Sequence, residues 1–150
     1  MYARKRDLEM SSLEVNTLLS FALYGAANRL VRMHKPFLDP LGLTFPQYLV
    51  VLELLGHAPR SVGELGARLG MDTGTITPLI KRLDQAGLVA RQRDTHDERK
   101  VFVTLTPAGE VLRDSVSAVP QQIETACQIS NERARELREA LDDVGRPRRS

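Results

Sequence analysis

Apolar positions recur at helical spacing from Leu13 onward: Leu19, Leu23, Ala26, Leu30 and Met33, with Val15, Leu18, Ala22 and Ala27 beside them. This predicts a helix over 13–35 whose apolar surface is too broad for one packing face, so that a second subunit has to supply part of its cover. Pro36 and Asp39-Pro40-Leu41-Gly42 break the pattern. Thr44 as N-cap and Pro46 in the first turn open another helix, with Tyr48, Leu49, Val51, Leu52 and Leu55 on its core face, closed by His57-Ala58-Pro59. Ser61 and Glu64 have the spacing of a capping box. The short helix they open carries Val62, Leu65, Ala67 and Leu69 inward and stops at Gly70. Asp72 or Thr73 caps the next helix, which buries Ile76, Leu79, Ile80 and Leu83 and ends at Gly87.

After Gly87 the period changes to two. Residues 88–93 and 100–105 alternate and include β-branched side chains, and the charged run Asp94-Thr95-His96-Asp97-Glu98-Arg99 separates them. This predicts a two-stranded hairpin with a polar tip. Thr106-Pro107 restarts helix. Leu112, Val116, Val119, Ile123 and Ala126 follow in steps of three and four, with a bend expected at Pro120. Ser130 caps a last helix with Ala134, Leu137, Leu141 and Val144, before a basic tail at 145–150; residues 1–12 read as loose, polar and basic. Two short helices, a glycine-containing turn and a charged hairpin over 61–105 make a helix-turn-helix followed by a wing. The fold expected is mainly α with a small β-hairpin, as a single domain over 1–150. A winged unit at 44–105 lies between terminal helices at 13–35 and 107–144.

Composition narrows the function classes. The chain has 150 residues, 42% hydrophobic and 27% charged, enough for a sizeable core and typical of a globular domain. A single cysteine, Cys127, excludes an internal disulfide framework, and no Cys-x-x-Cys or His-x-x-x-His pair offers a metal site. No cofactor is expected. The longest charge-free stretch near the N-terminus, 15–28, is too short to span a bilayer, and no signal-peptide pattern follows Arg4-Lys5-Arg6. The reading is a soluble cytoplasmic protein without a membrane partner. A net charge of +2 says little by itself; where the charge sits says more.

Thr73, Thr75, Thr77, Lys81 and Arg82 occupy the polar face of the helix opened by Asp72 or Thr73. Small hydroxyls near the helix start suit close approach to base edges, and the cations suit phosphates. The free N–H groups there also favour an anion. A plain solvated helix face stays open as the alternative. Arg91, Arg93, Arg99 and Lys100 surround the hairpin. An arginine at its tip can enter the narrow, electronegative minor groove of a duplex, with Asp97 holding the guanidinium in orientation. Thr73, Thr75, Thr77 and Lys81 are the candidate groove contacts. Arg82, Arg91 and Arg93 are the candidate phosphate contacts, and Arg99 is the minor-groove candidate.

Asp97-Glu98-Arg99-Lys100-Val101-Phe102-Val103-Thr104-Leu105-Thr106-Pro107-Ala108-Gly109 resembles the wing and following helix start of the MarR family. Leu79-Ile80-Lys81-Arg82-Leu83-Asp84-Gln85-Ala86-Gly87-Leu88-Val89 resembles that family's recognition helix and exit. The resemblance covers almost the whole chain. It implies a homodimeric winged-helix transcriptional regulator, a repressor on a pseudo-palindromic DNA operator, with 13–35 and 107–144 as dimerisation helices and a small-molecule or oxidant signal that releases it. Ser20-Phe21-Ala22-Leu23-Tyr24, Leu43-Thr44-Phe45-Pro46-Gln47-Tyr48-Leu49-Val50 and Leu79-Ile80-Lys81-Arg82-Leu83 are similar to the organic hydroperoxide resistance branch.

That branch senses peroxide with a first-helix cysteine hydrogen-bonded by tyrosines. Here Ser20 stands at the cysteine's position, and His34 and Phe45 stand at the tyrosines'. A serine has no sulfur to oxidise. Either Ser20 is an engineered change in a peroxide sensor, or the chain is a natural relative that no longer senses peroxide; His34 and Phe45 favour the second. Ser20, Tyr24, His34, Phe45 and Tyr48 could still line an effector pocket, with ordinary packing as the alternative, and His34 is suited to switching near neutral pH. Cys127 falls where some members of that branch carry a second, resolving cysteine, though a small packed residue is the simpler reading. Enzymatic use of Ser20 and His34 fails on distance, roughly 20 Å along one straight helix. A dimer whose winged helix binds protein remains as an alternative to DNA.

Overall fold

The structure is a computed structural model that describes residues 14–146; the segments read as loose at 1–12 and basic beyond 146 lie outside the described residues. A 3-10 turn at Val15–Thr17 leads into α1 (Leu19–Leu38), and a second 3-10 turn at Asp39–Leu41 leads into α2 (Phe45–His57). The two helices meet at 70°. There follow β1 (Arg60–Ser61), α3 (Val62–Leu69), α4 (Thr73–Gln85), β2 (Val89–Arg93) and β3 (Val101–Leu105). The chain then forms α5 (Pro107–Glu110), α6 (Arg113–Cys127) and α7 (Asn131–Asp142).

Local chemistry sets most helix starts. Thr44 with Gln47 and Ser61 with Glu64 form reciprocal capping boxes. Asp72 accepts from Thr75 N–H, Thr106 from Gly109 and Ser130 from Arg133. Gly70, with φ +66°, closes α3 in the left-handed region.

Several boundaries differ from the sequence pattern. α1 begins at Leu19 rather than near 13, and it runs through Pro36 to Leu38 instead of breaking at 36. Pro36 sits in the last turn, where its ring removes one ladder bond only. The bend expected at Pro120 is absent as a break: α6 continues through it, and the interruption falls at Val111 and Leu112. There Leu112 N–H reaches back three residues to Gly109 O at 3.1 Å, a tightened turn that separates α5 from α6. The hairpin strands are one residue shorter at one end each, and a two-residue third strand, β1, joins them. The antiparallel order is β1-β3-β2, with Arg60 opposite Val103 and Arg91 opposite Val103 on the other side.

One core joins α2, α3, α4, the sheet and α6 around Val50, Val51, Leu54, Leu65, Leu83 and Val103. The buried face of α2 is Tyr48, Val50, Val51 and Leu54, with Leu49, Leu52 and Leu55 only partly covered. In α3, Gly66 is buried and Ala67 exposed, because the turn and the start of α4 fold back over the glycine: a Cβ on Gly66 would lie 2.8 Å from Met71 O and 3.3 Å from Ile76 Cγ2. α1 buries only His34 and Leu38. Leu19, Phe21, Tyr24, Leu30 and Val31 on α1, and Leu137, Leu141 and Val144 at the C-terminal end, are exposed in the single chain.

Candidate nucleic-acid interface

α3 and α4 form the helix-turn-helix, and β2 and β3 extend beside it as the wing. Burial of Ile76, Leu79, Ile80 and Leu83 fixes the rotation of α4. Thr73, Thr75, Lys81 and Arg82 are consequently exposed and Thr77 half-buried. The Asp72 carboxylate takes the Thr75 N–H at 2.9 Å, so part of the free donor set expected at this helix start is already satisfied. A groove of about 510 Å³ runs between α4 and the wing. Thr73 and Thr77 line it from one side, and Arg91, Arg99 and Lys100 from the other.

The wing tip is closed by its own backbone. Asp94 N–H donates to Lys100 O and Lys100 N–H to Asp97 O, both at 2.9 Å. Asp94 Oδ1 accepts from His96 N–H, and Asp97 Oδ1 accepts from Arg99 N–H at 3.1 Å. Asp97 therefore shapes the turn; it does not hold the Arg99 guanidinium as the sequence suggested, because its carboxylate is engaged two residues on as an Asx turn. Among the described residues Lys81, Arg82, Arg93 and Arg99 make no side-chain ion pair, whereas the Arg91 guanidinium lies 2.8 Å from Asp84. With Lys100, which likewise makes none, five uncompensated cations among the described residues lie on the recognition helix and the wing, beside the three threonine hydroxyls of α4.

The chain carries relatives' marks over most of its length. The sequence profile of the MarR family matches residues 41–100. The chain is 36% identical over 129 residues to the organic hydroperoxide resistance transcriptional regulator of Bacillus subtilis, covering 86% of this chain and 88% of that protein. The chain belongs to the MarR family. The transcriptional regulator MgrA of Staphylococcus aureus is 34% identical over 127 residues, 84% of this chain and 86% of its own. Among solved structures, reduced AbfR bound to DNA superposes with a TM-score of 0.73 at 26% identity over 96% of both chains. The curated relatives are transcriptional regulators and not enzymes, and the winged helix-turn-helix is the fold they share with this chain.

The second constellation is only partly assembled. His34, buried, donates from Nδ1 to Leu30 O at 2.7 Å and packs edge-on to Phe45, with ring centroids 4.8 Å apart. Tyr48 completes the cluster at 5.8 Å from His34 and 6.0 Å from Phe45. Burial pushes the Tyr48 phenol above its ordinary pKa, so it stays neutral in this apolar setting. Ser20 and Tyr24 stand apart, near the start of α1 and exposed, roughly 20 Å along the helix from His34 in the case of Ser20. Cys127, the last residue of α6, is half-buried and free. No group of His, Cys, Asp or Glu among the described residues could hold a metal ion, and no single helix there is long and apolar enough to cross a membrane.

Two features escaped the sequence reading. Glu53 of α2 lies 3.5 Å from both Arg60 of β1 and Arg68 of α3, tying the helix-turn-helix to the body. Asp84 was visible only as part of a family-like string; its tell-tale was a carboxylate in the last turn of a helix, where one is disfavoured.

Proposed function

We propose that this regulator works as a homodimeric repressor in the cytoplasm, binding an imperfect inverted repeat in duplex DNA. The carrying observation is the polar surface that α4 presents, with Thr73 and Thr77 lining the groove and Thr75 and Lys81 exposed, beside a wing whose Arg99 guanidinium is unpaired among the described residues. Thr73, Thr75, Thr77 and Lys81 enter the major groove, Arg82 and Arg93 meet phosphates, and Arg99 enters the adjacent minor groove. Asp97 serves by folding the tip. A relative of the same fold, reduced AbfR, has been solved on DNA. Residues 44–105 form the reading unit; 13–35 and 107–144, with their exposed leucines and aromatics, form the dimer contact. The signal is a small molecule received around His34, Phe45 and Tyr48, with Ser20 and Tyr24 contributing once α1 is covered by a second subunit. The serine at position 20 is natural in this reading.

Fluorescence anisotropy with the duplex flanking its own gene tests the assignment. Wild-type protein binds with an affinity that falls steeply with salt. Arg99→Ala lowers affinity by about tenfold, the scale of one lost base-edge arginine, and leaves the circular-dichroism melt unchanged. Unchanged affinity for Arg99→Ala at physiological salt removes the wing from the reading. Absence of any DNA binding leaves a protein-binding winged helix.

A further inference from the structure

Along β2 the side chains alternate, and Val89, Arg91 and Arg93 share the face turned to α4. Val89 at the base is buried. One step out, Arg91 places both Nε and a terminal nitrogen 2.8 Å from the same Asp84 carboxylate oxygen. A further step out, Arg93 makes no side-chain ion pair among the described residues. The wing is thus fastened to the recognition helix at two levels, apolar and then ionic, before it projects.

Asp84 sits badly with two fields. It lies in the last turn of α4, where the carbonyl end of the helix disfavours a carboxylate. It also adds a negative charge at the edge of a surface that faces a polyanion. Its guanidinium partner accounts for a charge kept there. We propose that Asp84 is a positioning residue for operator binding: by holding Arg91 it fixes the angle of the wing on the recognition helix, so that Arg99 and α4 reach their grooves together. The proposal rests on the DNA-binding reading above, and it assigns Arg91 to the protein's own frame instead of a phosphate.

Geometry gives the clasp leverage. Arg91 is opposite Val103, two residues inside the tip end of β3 at Val101, and Arg99 lies beyond that end in the turn closed by the Lys100 N–H to Asp97 O bond. The two strand steps from Val103 to Val101 alone span roughly 7 Å at the rise of a strand, so a tilt of about 10° at the base moves the tip by on the order of 1 Å, enough to spoil the geometry of a hydrogen bond.

Simple electrostatics predicts the opposite sign from positioning: removing the Asp84 charge and freeing Arg91 should tighten binding to DNA. Asp84→Asn, Arg91→Gln and the double variant are titrated against a duplex that the wild-type protein selects from a randomised pool. Each single change is expected to weaken binding by about fivefold, the upper range for a partly exposed pair. The double variant should bind no more weakly than either single, and the slope against salt should not change. In an Arg99→Ala background Asp84→Asn should cost less than in the wild type, because the minor-groove contact that it positions is already gone. Circular dichroism checks the fold; Arg91→Lys, which keeps the charge and loses the forked contact, serves as a milder variant and should also weaken binding. Unchanged or tighter binding by Asp84→Asn overturns the proposal alone. So does a loss of about one unit of salt slope per subunit in Arg91→Gln, which would mark a phosphate contact. If the wild-type protein selects no duplex, the functional reading falls and this inference falls with it.

Discussion

Ser20 is exposed near the start of α1, and its oxygen cannot take the oxidation steps open to a thiolate. The consequence is testable on the protein–DNA complex. Adding an organic hydroperoxide should leave the anisotropy signal of bound duplex unchanged over a range that oxidises an exposed free thiol. Release that disappears in Cys127→Ala would show instead that Cys127, half-buried at the end of α6, has taken over the sensing. At this scale the sequence was informative about residue type and poor about partners. That Ser20 carries no sulfur, and that His34 and Phe45 stand where hydroxyl donors are expected, was plain from the letters. That Asp97 would bond a backbone N–H rather than a guanidinium, and that Arg91 would be claimed by Asp84, depends on where side chains end up after folding. Three acids and four cations within the wing allow many pairings, and only the three-dimensional register chooses among them.

Elements were legible where their signal is local. Each cap acts within three residues, so the starts of α2, α3, α5 and α7 followed from Thr44, Ser61, Thr106 and Ser130, and that of α4 from Asp72 or Thr73, of which Asp72 is the cap. β1 was illegible because two residues carry no period; it exists only by pairing with Val103 and Phe102. The break between α5 and α6 was misplaced to Pro120 because its cause is tertiary. Gly109 is pressed against the chain leaving α4: a methyl on it would overlap Leu88 O and lie 3.1 Å from Leu105 Cδ2. Thr106 reinforces this seam, its hydroxyl donating to Gly87 O and its N–H to Leu88 O. Gly109→Ala should therefore destabilise the fold by about 1–3 kcal/mol, the scale of overpacking. In urea it should lower the unfolding midpoint without changing the slope. Gly56→Ala provides the contrast. Nothing lies within 4 Å of a Cβ there, and the residue is helical, so the midpoint should hold or rise. Equal losses at both glycines would deny the seam its special tightness.

At the scale of the molecule, the over-broad apolar surface of the first helix was readable from spacing, and the structure shows where it goes uncovered. Leu19 is 64% exposed and Tyr24 70% on α1, and Leu137 is 51% exposed on α7. Such side chains, so placed on two terminal helices, call for a covering surface, and a second copy lets both reading units meet one inverted repeat. Because association would bury this surface only in the folded state, the melting temperature should rise with protein concentration. Leu137→Glu should shift sedimentation from dimer toward monomer at micromolar protein. The same variant should bind the operator far more weakly, with about half the wild-type slope against salt, since one reading unit instead of two then displaces counterions. An equally dimeric Leu137→Glu would move the contact away from α7. A wild-type protein that sediments as a monomer, with a melt independent of concentration, would remove the two-fold geometry from which the inverted-repeat operator follows.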